Sequence, residues 1–236
     1  MNNDETLRRI ARYLMLHTSH RNNLGLLNGK MGIAIFFFHY AEYMAKKLYK
    51  DFAGELINEI YKEIHVNYPC DFKDGLSGIA WGVEYLIRNL FVEGETDEIL
   101  EDLDLQILER DVRRIQDNTL DTGLKGLTYY VISRCANRER SNNIISEEYI
   151  SDLIKALQSN VYKDNENTQL IKTLKGILAH QQVALSTRFI DDILDKTIFR
   201  YSSLFGPSRP LGISNNGYAG IGLKIIRKDE TKSIYI

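Results

Sequence analysis

The chain has 236 residues, 44% of them hydrophobic, which is enough to bury a sizeable core as one domain spanning residues 1–236. A net charge of −2 and a pI near 6.2 exclude the basic face that nucleic acid requires. The longest strongly apolar stretch, Gly32 to Phe38, is too short to span a bilayer, so no membrane partner is expected.

Taken in chain order, the sequence alternates between two kinds of helical stretch. The first kind is amphipathic and is expected over residues 4–18, 48–65, 97–117, 145–161 and 189–201. Leu7, Ile10, Ala11 and Leu14 show its spacing, with Arg8, Arg9 and Arg12 on the other side, which describes a surface helix with one buried stripe. The second kind is apolar nearly all round. Ile33, Phe37, Tyr40 and Met44, then Ile79, Val83, Leu86 and Leu90, keep the helical period, and the positions between them are also largely small or apolar.

A four-residue glycine signature introduces each apolar stretch. It reads Gly29-Lys30-Met31-Gly32, Gly75-Leu76-Ser77-Gly78, Gly123-Leu124-Lys125-Gly126 and Gly217-Tyr218-Ala219-Gly220, with starts 46, 48 and 94 residues apart. A further unit is therefore due near residue 170, where Thr173-Leu174-Lys175-Gly176 keeps only the second glycine. Such a period means that one supersecondary unit has been copied and that neighbouring copies bury each other's apolar faces. Asn28, Asp74, Thr122 and Asn216 precede the intact pairs and are residue types suited to N-capping. A glycine inside a helix costs about 1 kcal/mol relative to alanine, so its repeated use indicates crowded backbones. The expectation is an all-α chain, an α/α toroid of about five helical hairpins with its GxxG turns on one rim.

Cys70 and Cys135 form no CxxC pair, and Met1-Asn2-Asn3-Asp4-Glu5 has no signal-peptide pattern. Reduced thiols in a cytoplasmic setting are the simplest expectation. The segments Asp71-Phe72-Lys73-Asp74-Gly75-Leu76-Ser77-Gly78 and Asn216-Gly217-Tyr218-Ala219-Gly220-Ile221-Gly222 resemble the repeats of the lanthionine synthetase C-like (LanC-like) family. The resemblance covers the turns from residue 29 to 222 and implies an α/α toroid with a zinc ion at the rim of a central cavity. It also implies a cyclase that adds a peptide cysteine thiolate to a dehydrated serine or threonine. Bound zinc would deprotonate that thiol.

Carried over position by position, the implied zinc ligands fall on Ile171, Asn215 and Asn216, and the implied histidine falls on Thr122. Isoleucine cannot bind a metal, and asparagine is a weak oxygen donor unsuited to zinc thiolate chemistry. Only Asp71 matches a functional residue implied by the resemblance, an acid ahead of the second repeat. No metal and no cofactor are expected. Cys70 and His180 are further candidates for the rim, each set against the reading of an ordinary loop cysteine and a structural histidine. His39 and His180 are placed in inner helices, and His17, His20 and His65 at the surface.

The functional expectation is a divergent member that binds a peptide or partner protein in a central groove within a peptide-modification pathway. The alternatives are an altered peptide-modifying chemistry centred on Asp71, and a carbohydrate-active toroid using paired acids among Asp71, Asp74 and Asp121. The resembled family is longer and has more hairpins. Five hairpins either close a tighter ring or leave an apolar arc that a second copy, in a homodimer, would cover. The acidic run from Glu93 to Asp111, opposed by Arg110 alone, reads as a solvated helix face whose buried side is Ile99, Leu103 and Leu108.

Overall fold

The computed structural model describes residues 2–19, 22–65, 67–136, 144–159, 165–200, 204–206 and 208–233. Among them are ten α-helices and no strand: α1 (Asn3–His17), α2 (Lys30–Met44), α3 (Lys47–Glu63), α4 (Leu76–Arg88), α5 (Thr96–Leu108), α6 (Leu124–Cys135), α7 (Glu147–Ser159), α8 (Asn165–Leu178), α9 (Arg188–Lys196) and α10 (Tyr218–Ser233). The odd-numbered helices are the expected amphipathic ones. In α1 the buried residues include Leu7, Ile10, Ala11 and Leu14, the stripe read from the sequence. Helices α2, α4 and α6 are enclosed on more sides, every residue of α2 from Lys30 to Phe38 being buried, whereas α8 buries one stripe, Asn167, Leu170, Leu174, Gly176 and Ile177.

The chain divides into two compact units. In the first, residues 1–65 and 187–236, α10 packs against α1, α2 and α9, and α2 against α3. The turn from α2 to α3 is made at Ala45, which adopts the left-handed conformation and donates its N–H to Ala41. Lys30 is buried at the start of α2 and is held by Glu59 at 3.0 Å and Glu63 at 2.7 Å on α3.

In the second unit, residues 66–186, α6 is central and touches α4, α7 and α8, while α5 lies on α4. A buried ion cluster joins three of its helices. Arg134 on α6 pairs with Glu84 on α4 and, at 2.6 Å, with Asp104 on α5, and all three side chains are at most 3% exposed. Arg88 reaches the other oxygen of Glu84 at 2.9 Å, and the Tyr130 hydroxyl donates to Asp104 at 2.5 Å. Burial works against the Arg134 charge, yet hydrogen bonds and charge from Asp104 and Glu84 hold its pKa above the usual value.

Three sequence expectations are corrected. Thr173 to Gly176 do not form a turn. They lie in the last part of α8, where left-handed His180 ends the helix and Gln181 donates its N–H to Gly176. The helix of this period thus begins at Asn165, and residues 160–164 before it lie outside the described residues. The third amphipathic stretch stops at Leu108 rather than 117, because Asp111 accepts the Arg113 N–H and starts a separate 3-10 turn, Val112–Arg114. The N-caps of α2, α4 and α6 are the glycines themselves, Gly29, Gly75 and Gly123, with no side-chain cap, and not the polar residues before them.

Candidate functional site

The glycine turns are built to one plan. The first amide of each following helix donates back to a carbonyl near the start of the turn: Lys30 to Asn23 at 2.9 Å, Leu76 to Pro69 at 2.7 Å, Leu124 to Asp117 at 2.9 Å. In each case the acceptor lies seven residues upstream, so the chain folds over its own N-cap. A Cβ on Gly75 or Gly123 would lie within 3.0 Å of the backbone of Pro69 or Asp117, a separation that side chains do not tolerate. The last turn is one residue longer, with Tyr218 donating to Pro210 at 2.9 Å. Its extra residue is absorbed by Asn215 and Asn216, both left-handed at φ 55° and 58°, a conformation that asparagine accepts more readily than most residues.

Within each unit, adjoining turns dock by the same contacts. Phe72 and Lys73 both donate backbone N–H groups to the Asp121 carbonyl at 3.0 Å, and the Phe72 side chain covers Gly126. Ile213 and Ser214 both donate to the Leu27 carbonyl, at 2.8 and 3.0 Å, and the Ile213 side chain covers Gly32. The last glycine turn therefore meets the first as the second meets the third. This is why the second glycine is small at Gly32 and Gly126, where the neighbouring turn's apolar side chain sits on it, whereas Gly220 is crowded by the Ile213 backbone of its own turn.

The expected site residues are distributed over these turns. Asp71 is half-buried and its carboxylate accepts the Asp74 N–H at 2.8 Å, bracing its own loop. Lys73 on the same loop pairs with Asp121 at 2.8 Å, so Asp121 is part of the docking contact. Thr122 is exposed and its hydroxyl donates to Asp117 at 2.5 Å, with Thr119 donating to the same carboxylate through its N–H and hydroxyl. Burial pushes the Asp117 carboxyl up, but these hydrogen bonds outweigh it and hold the pKa below the usual range. Neither the Asp117 turn brace nor its counterpart in the first repeat, where Asn23 accepts the Gly25 N–H at 2.9 Å, was legible as a site, although both stand six residues before a glycine N-cap.

Cys70 is half-buried, and its thiol lies 3.8 Å from the Gln106 carbonyl. Burial raises its pKa, as do Asp71 and Glu109, with Arg110 opposing. It has the character of a thiol and not of an activated thiolate. Ile171 lies in the middle of α8 and is not on a turn. His180 is exposed after the end of α8, outside any inner helix, 3.9 Å from Glu147. His39 does lie on an inner helix, α2, where burial pushes its pKa down to about 4. His17 and His65 are exposed as expected, and His20 lies outside the described residues.

The residues that the zinc positions fall on do not fit a zinc ion. Asn216 uses its side-chain oxygen to accept the Ile198 N–H at 2.7 Å and its carbonyl to accept from Arg209 at 2.6 Å, so both groups brace the turn. Asn215 serves the left-handed bend beside it. Among the described residues, no three His, Cys, Asp or Glu side chains converge in a way that could hold a metal ion.

No helix among the described residues is long and apolar enough to cross a membrane. No curated protein matches the chain. Residues 20–180, which contain the first three glycine turns and the docking of the second on the third, match the family model described as lanthionine synthetase C-like protein. The chain belongs to the lanthionine synthetase C-like family, an all-α family of the α/α toroid class.

Proposed function

We propose that this LanC-like protein serves peptide modification as a binding component, recognising a peptide or partner protein through its glycine-turn loops without zinc-dependent thioether chemistry. One observation carries the reading. The positions where the family's chemistry would be held are occupied by groups with structural work to do, above all Asn216, whose side chain and carbonyl both brace the last turn. Its thiols add no substitute nucleophile, since Cys70 has a raised pKa and Cys135 is buried.

Family membership supports the link to peptide modification. The Asp71-centred chemistry draws less support, because that carboxylate accepts a backbone N–H within its own loop. The paired-acid reading draws less again, because Asp121 is neutralised by Lys73.

Elemental analysis of protein purified from zinc-supplemented cells tests the proposal. We expect no stoichiometric zinc, and one zinc ion per chain would overturn the reading. Asp71→Asn keeps an acceptor for the Asp74 N–H, so peptide binding by this variant is expected to equal that of the parent. A modification activity that disappears in Asp71→Asn would transfer the assignment to an Asp71 enzyme.

A further inference from the structure

The solvent side of α5 departs from the expected solvated face. The residues that α5 buries are Leu100, Leu103, Asp104 and Ile107, so of the expected buried side Leu103 is enclosed while Ile99 and Leu108 stay partly exposed. Leu105 is left 64% exposed and, with Leu108 and Ile144, floors a cavity of about 700 Å³. Glu98, Glu101 and Glu109 stand around this floor, and Glu98, Glu101, Leu105 and Leu108 follow each other at helical spacing. The cavity shares Leu108 and Glu109 with a second one of about 280 Å³, lined in part by Tyr149. The Tyr149 hydroxyl is buried and has no hydrogen-bond partner among the described residues.

We propose that the groove along α5 docks a basic amphipathic peptide segment, with lysine or arginine side chains on Glu98, Glu101 and Glu109 and an apolar face on Leu105, Leu108 and Ile144. Charge complementarity selects this occupant. The run from Glu93 to Asp111 holds nine acids against Arg110 alone, so an anionic partner is repelled. A wholly apolar partner would strip water from three carboxylates and give them nothing in return. Glu98 and Glu101 form no ion pair among the described residues, so they are free to accept one. From Glu98 to Leu108 the helix rises about 15 Å, which sets the length of the contact at about three helical turns of the partner. The inference concerns the exposed face of α5, whose C-terminal end meets the second glycine turn where Arg110 donates to the Cys70 carbonyl, and stands independently of the function proposed above.

The test is fluorescence anisotropy with the full chain and a labelled peptide carrying lysines on one helical face and leucines on the other. We expect saturable binding that weakens with salt. Glu98→Lys combined with Glu101→Lys, and separately Leu105→Asp, alter exposed side chains and leave the fold intact by circular dichroism. Each is expected to weaken binding by about ten-fold or more. A peptide with glutamate in place of lysine should not bind, and oligolysine without leucines should bind at least ten-fold more weakly. The proposal is overturned by absence of binding, by affinity unchanged in both variants, or by oligolysine binding as tightly as the amphipathic peptide.

Discussion

The clearest residue-scale consequence concerns the second glycine of a signature. A methyl group on Gly126 would meet the Leu120 carbonyl and the Phe72 Cβ within 3.0 Å. We expect Gly126→Ala to destabilise by about 3 kcal/mol, lowering the melting temperature by roughly 10 °C in a thermal scan. Gly54, inside α3, has nothing within 4 Å of its would-be Cβ. Gly54→Ala is therefore expected to stabilise by about 1 kcal/mol and to raise the melting temperature by about 3 °C. Equal melting shifts for the two variants would refute the crowding argument.

His39 gives a pH dependence at the same scale. Its folded pKa is pushed down to about 4, below the ordinary 6.5, so the unfolded chain binds the extra proton first as acid is added. The stability contributed by keeping this ring neutral is complete above pH 6.5 and is lost as the pH falls towards 4. The loss amounts to at most about 3 kcal/mol. Urea unfolding at a series of pH values should show this slope, and His39→Gln, which does not titrate, should flatten it.

At the scale of elements, the Arg134 cluster joins α4, α5 and α6. Removing the guanidinium in Arg134→Met leaves Glu84 and Asp104 buried without the charge they share, Arg88 still reaching Glu84 and Tyr130 still donating to Asp104. We expect a loss of about 3–5 kcal/mol by denaturant unfolding. A loss below about 1 kcal/mol would mean that the cluster adds little. This cluster was not legible in the sequence, because Arg134 and Glu84 sit in largely apolar helices and their pairing spans 50 residues. The amphipathic helices were legible, since a buried stripe repeats along a single helix and is visible locally, as Leu7 to Leu14 show. The glycine turns were legible where both glycines persist. The fourth unit was misplaced because Gly176 alone carries no turn: its backbone is ordinary α-helix, and its would-be Cβ meets only the flexible Gln181 side chain below 3.4 Å. The structural duties of Asn215 and Asn216 could be guessed only in part, because a positive φ follows from the extra residue in the last turn and not from the residue types.

At the scale of the molecule, the first unit is assembled from the two ends of the described chain. α10 covers both α1 and α2, and Ile213 seats on Gly32. Deleting residues from Tyr218 onward should strip α1 and α2 of a packing partner each. Hydrogen exchange is expected to accelerate throughout those two helices while α4 and α6, in the second unit, keep their protection. Uniform acceleration across both units would contradict the division.

That arrangement also sets an order for synthesis. On the order of 170 residues separate the end of α2 from the start of α10, whereas the second unit is continuous in the chain. A ribosome therefore delivers everything that α4 to α8 require before it delivers the partner that shields Phe36 and its neighbours on α2. The nascent N-terminal helices must wait, with greasy side chains bare, for many seconds at ordinary elongation rates. Chaperone capture during translation would be concentrated on the first hairpin, and release would follow emergence of the final helix.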